Sequence, residues 1–289
     1  MKILILGCGS FAGQAIFSQL LKDGFDVYGI NRSGPKNIYM WEWLRDQNID
    51  NRWFQLNICN NIDRFYKIFD DISPTHVIDL MGQGMVAPSW EDPALWYETN
   101  ISKKALLLNH LKDLKSLQKY IRVSTPEVFG NDEKYLLENS QFKPSTPYAV
   151  SHAAIDYHLR CLGKQFNFPY CIGRFANFYG PGQQLYRVIP KAIICFLTKD
   201  KFILDGGGKS KRSFLYSEDI VSAIYKLLFE SKIYKEYNFS SNEEISIKEL
   251  IERICNLLKV DFNQNVLLGE ERIGKDMFYR MNCKNSSKE

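Results

Sequence analysis

No run of apolar residues in this chain approaches the ~20 needed to cross a bilayer, so a spanning helix is not expected. The opening Met1-Lys2-Ile3-Leu4-Ile5-Leu6 is too short for a secretory signal and runs straight into a glycine turn. A cytoplasmic protein is therefore expected. The seven cysteines (Cys8, Cys59, Cys161, Cys171, Cys195, Cys255 and Cys283) form no C-x-x-C and no Cys/His cluster. That pattern excludes a disulfide framework and a zinc site, and no metal is expected. A net charge of +4 is mild and spread along the chain, which argues against nucleic acid as a partner. Internal repeats and low-complexity segments are lacking too.

What is there is ordinary globular sequence: 289 residues, 45% apolar and 24% charged, enough for one large domain or two smaller ones. Short β-rich runs alternate with amphipathic stretches of helical length. Strands are predicted over 3–6, 26–30, 53–57, 76–81, 119–124 and 170–174. Helices are predicted over 11–22, over 95–117 as the longest of the set, and from Tyr148 onward. Strands apolar enough to be buried on both faces predict a parallel sheet covered by helices, a Rossmann-type doubly wound α/β fold. Beyond Asn177 the rhythm loosens, with helices expected near 189–199, 217–230 and 246–259. The expected organisation is a first domain over 1–176 and a smaller second lobe over 177–289. Within the latter, about 211–240 is expected to return to the first domain.

The first strand ends in Gly7-Cys8-Gly9-Ser10-Phe11-Ala12-Gly13, and a helix follows at once. Glycines there permit a tight turn and close approach of backbone to a pyrophosphate seated on the helix N-terminus. Gly7, Gly9, Ser10, Phe11 and Gly13 are accordingly candidate cofactor contacts. The spacing is not G-x-G-x-x-G, so placement between strand and helix carries the reading. The second strand ends in Asn31-Arg32-Ser33, with no acid to bind a ribose 2′-hydroxyl and an Arg suited to a 2′-phosphate. NADP is expected in preference to NAD. Asn57, after the third strand, is placed to meet an adenine edge. Gly208-Lys209-Ser210 is not a phosphate loop, because the required first glycine would fall at Ile203.

Tyr148 and His152 stand four residues apart on a helix, which brings a phenol and an imidazole to one face. Ser151 flanks that face. By itself this pair is compatible with simple surface decoration.

Around it, however, several motifs occur in order. Ser124-Thr125-Pro126-Glu127-Val128-Phe129-Gly130 follows a strand, and Pro147-Tyr148-Ala149-Val150-Ser151 opens the helix. Arg174-Phe175-Ala176-Asn177-Phe178-Tyr179-Gly180-Pro181-Gly182 and Arg212-Ser213-Phe214-Leu215-Tyr216-Ser217-Glu218-Asp219 come later. Together they resemble the extended short-chain dehydrogenase/reductase family, specifically its nucleotide-sugar epimerases and 4,6-dehydratases, over nearly the whole chain. Ser89-Trp90-Glu91-Asp92-Pro93 and the Gly29–Ser33 turn lean towards the GDP-mannose 4,6-dehydratase branch. The resemblance implies catalytic roles for Thr125, Glu127, Tyr148 and His152. Tyr148 would take the proton of a sugar 4-hydroxyl, Thr125 would hydrogen-bond that oxygen, and Glu127 would remove the C5 proton. Asn177, Arg212 and Arg272 (in Glu271-Arg272-Ile273-Gly274-Lys275-Asp276) would contact the substrate diphosphate. A homodimer built through the 95–117 helix and the Tyr148 helix is also implied.

Three departures from the family pattern matter. His152 stands where the family has a Lys, Pro126 where many dehydratases have an Asp, and Ser10 where the glycine turn has its middle glycine. The expected function is an NADP-dependent nucleoside-diphosphate-sugar 4,6-dehydratase. A 4-epimerase or 4-keto-reductase, and a nucleotide-sugar-binding protein that has lost turnover with its Lys, remain open at this point. A catalytic His152 would be expected to place a titrating group near neutrality.

Overall fold

The computed structural model describes residues 1–34, 42–44, 48–271, 276–283 and 286. In chain order the first half runs β1 (Lys2–Leu6), α1 (Phe11–Lys22), β2 (Asp26–Asn31), β3 (Trp53–Gln55), α2 (Ile62–Ile72) and β4 (His76–Asp79). Two short helices follow, α3 (Ala87–Glu91) and α4 (Pro93–Tyr97), then a π-turn at Glu98–Ser102, α5 (Lys103–Leu111), β5 (Lys119–Ser124) and α6 (Pro147–Phe166). The remainder is β6 (Tyr170–Phe175), β7 (Asn177–Tyr179), α7 (Val188–Leu197), β8 (Phe202–Asp205), β9 (Lys211–Arg212), β10 (Phe214–Tyr216) and α8 (Ser217–Phe229). It closes with β11 (Lys235–Phe239), β12 (Ile245–Ser246), α9 (Ile247–Leu258), α10 (Phe262–Asn265) and β13 (Val266–Gly269).

Seven strands form one sheet in the order β11-β6-β5-β4-β1-β2-β3, every neighbouring pair parallel. Alternate residues of each strand feed opposite faces. Ile3, Ile5, Val27, Ile78 and Ile121 pack against residues of α1 and α8 such as Phe17 and Ile224. Leu4, Leu6, Val77, Tyr120 and Ile172 pack on the other side with Phe65, Leu108, Ile155 and Leu159. Each such fully buried Leu, Ile or Phe contributes ~1.5–3 kcal/mol, so the two clusters together hold the doubly wound arrangement. The order reverses between β1 and β4, and this places a crevice beyond the carboxyl ends of those strands.

A separate apolar cluster joins Ala192 and Phe196 of α7, Phe202 and Leu204 of β8, and Ile251, Ile254 and Cys255 of α9. There β8 pairs in parallel with β13. Ser246 and Glu249 form a capping box that starts α9.

The expected 95–117 helix is shorter and interrupted. Asp92 caps its start through the Leu95 amide at 3.2 Å, and the helix ends at Leu111. Between lies the π-turn, where the extra residue per turn rotates Asn100 and Lys104 inward, both of them buried. Apolar periodicity does not register such a one-residue slip.

Candidate active site

Gly7 adopts φ +78°, and a Cβ there would sit 3.0 Å from the Leu80 carbonyl carbon at the end of β4. A Cβ on Gly13 would stand 2.3 Å from the Gly7 carbonyl oxygen, and one on Gly9 would stand 2.5 Å from Asn31 Nδ2. The turn is therefore as close-packed as backbone permits, as a pyrophosphate cradle requires. Ser10, in place of a glycine, has φ −72° and needs no left-handed freedom. Its Oγ accepts from the Gly13 amide at 3.1 Å, which makes it the N-cap of α1. The Phe11 side chain is buried in the core.

Asn31 donates through Nδ2 to the Ser33 carbonyl at 2.9 Å and tightens the turn after β2. Arg32 is exposed and reaches the Gln83 Oε1 at 3.3 Å across the crevice mouth. Asn57 lies two residues beyond β3 and accepts from the Cys59 amide at 3.1 Å. These residues fit a dinucleotide: a glycine cradle on a helix N-terminus, and a cation with no carboxylate among Asn31, Arg32 and Ser33 at the end of β2.

Four expected catalytic side chains come together at the carboxyl edge of β5. Thr146 caps α6 by accepting from the Ala149 amide at 3.1 Å, and Ser89 accepts from the Tyr148 amide at 3.2 Å. Ser151 donates to the Tyr148 carbonyl at 2.7 Å and accepts from Asn100 Nδ2 at 2.9 Å. Tyr148 is thus anchored from three elements. Its phenol is hydrogen-bonded to Thr125 and lies in the field of Glu127. Burial, then Glu127, pushes the phenol above its ordinary range, while Thr125, Arg122 and Arg187 pull it down.

Glu127 occupies the 3-10 turn Pro126–Phe129, whose start Thr125 caps. Burial raises its pKa to about 7; Asp276 adds to this, and Arg212, a hydrogen bond with Tyr279, and Arg187 oppose it. Among the described residues, its buried Oε2 has no hydrogen-bond partner. A carboxyl poised near neutrality with one uncommitted oxygen is the profile of a general acid/base.

His152 is buried, and its ring lies 4.5 Å from that of Tyr148, tilted by 50°. Nδ1 is 3.0 Å from an Arg122 terminal nitrogen. Burial, then the Arg122 and Lys104 cations, drives the imidazole well below its usual pKa. The groups nearest neutrality here are instead Glu127, at about 7, and Lys104, lowered to about 7 by burial and then by the Arg122 cation.

Beneath His152 runs a buried ionic cluster. Lys104 Nζ donates to both Asp79 oxygens at 2.8 and 2.7 Å. Tyr120 donates to Asp79 Oδ2 at 2.8 Å, and Arg122 to the same atom at 3.1 Å. Although burial opposes it, the Lys104 and Arg122 cations hold the Asp79 carboxyl below its ordinary range. Asp156 accepts from Ser124 at 2.9 Å and from Arg174 at 3.0 Å, and Arg174 continues to Glu236 at 2.6 Å.

Asn177 is half-buried at the start of β7. Arg212 is buried, with its terminal nitrogens donating to the carbonyls of Lys211, Asp276 and Met277 at 2.7, 2.7 and 3.2 Å. The Tyr279 ring covers its guanidinium at 3.9 Å. In this arrangement Arg212 ties down the 276–279 strap and keeps a cation near Glu127. Arg272 lies outside the described residues. Tyr279 and Arg187, which neither spacing nor motif singled out, are both within the field of Glu127. Both come from loops, where no periodicity marks the inward-facing residue. Among the described residues, no group of three or more His, Cys, Asp or Glu could hold a metal ion.

A glycine-cradled switch-point crevice beside a Thr–Tyr pair defines the class: a dinucleotide-binding α/β protein of the Rossmann type. The profile of the NAD dependent epimerase/dehydratase family matches residues 3–239, and the chain belongs to that family. It is similar to a dTDP-glucose 4,6-dehydratase of Salmonella typhimurium, 27% identical over all of this chain and 87% of the relative. It is also similar to a dTDP-D-glucose 4,6-dehydratase of Dictyostelium discoideum, 32% identical over 70% of this chain and 54% of the relative. Its fold is that of a Streptomyces venezuelae dTDP-glucose 4,6-dehydratase solved with NAD and TYD bound. That structure gives a TM-score of 0.91 at 23% identity, covering all of this chain and 90% of that one. A UDP-glucose 4-epimerase from Thermotoga maritima, solved with UDP-glucose, gives 0.90 at 22% identity, covering all of this chain and 92% of that one.

Proposed function

We propose that this enzyme is a nucleoside-diphosphate-sugar 4,6-dehydratase. The observation that carries the reading is Glu127, raised to about 7 and set beside the Thr125–Tyr148 pair with one oxygen uncommitted. Oxidation at C4 needs only the phenol; a second, tunable carboxyl beside it is what elimination across C5 and C6 requires.

In this reading Tyr148 removes the proton of the sugar 4-hydroxyl, and Thr125 holds that oxygen. The bound nicotinamide cofactor would accept hydride from C4 and return it to C6, with no net redox change. The 4-ketone acidifies the C5 proton, which Glu127 removes. Pro126 brings no acid, so the proton gained by Glu127 is the one available to depart with the C6 hydroxyl as water. The proton taken from the 4-hydroxyl balances the one restored to C5. His152, uncharged, is retained as a hydrogen-bond donor beside Tyr148.

NADP is proposed as the preferred cofactor, on Arg32 and Ser33 at the end of β2; the family as a whole is described as NAD dependent. Asn177, Arg212, Arg187 and the lobe around α7 and α9 are proposed to hold the nucleoside diphosphate. A homodimer through α5 and α6 fits the exposed Leu106, Val150 and Tyr157 on those helices.

The test is a screen of nucleoside-diphosphate sugars with NADP or NAD, followed by mass analysis. Loss of one water with catalytic cofactor supports the reading. Isomerisation without loss of water makes the enzyme a 4-epimerase, and stoichiometric reduction of NADP to NADPH with release of a 4-keto sugar makes it a reductase running in reverse.

A further inference from the structure

A lysine four residues after a catalytic tyrosine does two things at once: it places a positive charge beside the phenol and it donates hydrogen bonds. His152 cannot do the first, because burial and its cationic neighbours keep it neutral. The structure supplies the charge from another element. Arg122 rises from β5 beneath α6, is 1% exposed, and donates to His152 Nδ1 at 3.0 Å. An arginine has no acceptor, so Nδ1 must be the lone-pair nitrogen and the ring proton must be on Nε2.

We infer that Arg122 and His152 divide those two tasks: Arg122 is a positioning residue that carries the charge and locks His152 as a neutral Nε2–H donor beside Tyr148. This rests on the reading of Tyr148 as the catalytic base. Asp79 in turn orients Arg122, accepting at 3.1 Å while also holding Lys104 at 2.7 Å. The lock is geometric: Arg122 is gripped by Asp79 on one side, and its Nε faces Asp156 Oδ1 at 4.0 Å on the other. The donor that remains on His152, Nε2–H, suits a hydroxyl acceptor such as a ribose or sugar oxygen.

The groups facing His152 are Arg122 of β5, Lys104 of α5 and Tyr148 on its own helix, with Asp156 of that helix facing the Arg122 Nε at 4.0 Å. Asp79 of β4 and Arg174 of β6 complete the charge set behind them. Further out on the elements against α6, Glu127 faces Tyr148, and Glu98 and Lys103 pair with each other at 4.0 Å. A protonated His152 would add a further cation next to Arg122 and Lys104, which is why the neutral tautomer is favoured.

The chain has four histidines, His76, His110, His152 and His158, so ring-¹⁵N-labelled protein gives a spectrum simple enough to assign, with His152→Gln marking the resonance of interest. In the wild type, His152 should show an unprotonated Nδ1, a protonated Nε2, and no titration between about pH 5.5 and 8.5. In Arg122→Met the same ring should begin to titrate, moving towards the ordinary value of about 6.5. Arg122→Lys, which keeps a charge, should stay closer to wild type. Unchanged signals from the other three histidines show that the variants are folded.

A wild-type His152 that titrates in that range, or carries its proton on Nδ1, overturns the inference. So does an Arg122→Met protein whose His152 is unchanged. With an active enzyme, Arg122→Met should also move the Tyr148 limb of the kcat–pH profile to higher pH while leaving the sugar KM within about twofold, a split that a purely structural residue would not give; an unmoved limb overturns the charge half of the inference. Absence of turnover on every nucleotide sugar sinks the dehydratase reading alone, because the resonances decide the Arg122–His152 relationship without it.

Discussion

Arg122 donates to His152 Nδ1 across 3.0 Å in the buried layer beneath the Tyr148 helix. The residue that departs most from the family pattern is therefore integrated with its surroundings and not left without a partner. Restoring the family lysine by His152→Lys should accordingly do harm. The new ammonium would meet Arg122 and Lys104, at up to about 4 kcal/mol for a like charge near 4 Å in an effective dielectric of about 20. The single variant should melt lower, and Arg122→Met/His152→Lys should recover much of the loss. Simple additivity in thermal unfolding would contradict this.

Glu127→Gln should reduce dehydration by ~10²–10⁴-fold, the usual contribution of a positioned acid/base. Oxidation at C4 should survive, seen as a transient nicotinamide absorbance without release of water. Retained dehydration in this variant would remove Glu127 from the mechanism.

The same carboxyl couples folding to pH. Its folded value of about 7 exceeds the ordinary 4.5 of a glutamic acid. Its contribution to stability is thus fully present below the unfolded value and is lost as pH rises through the folded one. Glu127→Gln should match the wild type near the lower value and be more stable than it above the higher one. Chemical denaturation at the two ends of this window checks the sign, and a Gln variant that is less stable at the alkaline end would contradict it.

Removing the counter-charge should be severe. Asp79 is fully buried and holds Lys104, Arg122 and Tyr120 at once. Asp79→Asn should destabilise by roughly 3–5 kcal/mol, as expected when one partner of a buried ionic cluster is removed. A midpoint shift in urea corresponding to less than about 1 kcal/mol would mean that the cluster is far better solvated than its burial indicates.

Cofactor choice is testable at the end of β2. Arg32→Ala should weaken NADP binding roughly tenfold, about 1.4 kcal/mol, with little change for NAD. Tighter NAD than NADP binding by the wild type would remove the 2′-phosphate reading. Separately, Leu106→Glu on the exposed face of α5 should shift a dimer towards monomer in sedimentation; Leu106 is 46% exposed in the single chain.

The sequence by itself determined the sheet. Alternating apolar strands and helices dictate a parallel sheet, because parallel strands buried on both faces must be covered by the crossover helices. Local chemistry also made legible the glycine turn, the Thr125–Glu127 segment and the position of Tyr148, since each sits at a strand end or a helix start that its neighbours specify. Only the tertiary structure decided what His152 is. Its state depends on Arg122 from β5, Lys104 from a helix rotated by a π-turn, and Asp79 from β4, residues 30, 48 and 73 positions away. The same holds for Tyr279 and Arg187 against Glu127. Burial and through-space charge set these protonation states, and neither quantity has a period or a spacing along the chain.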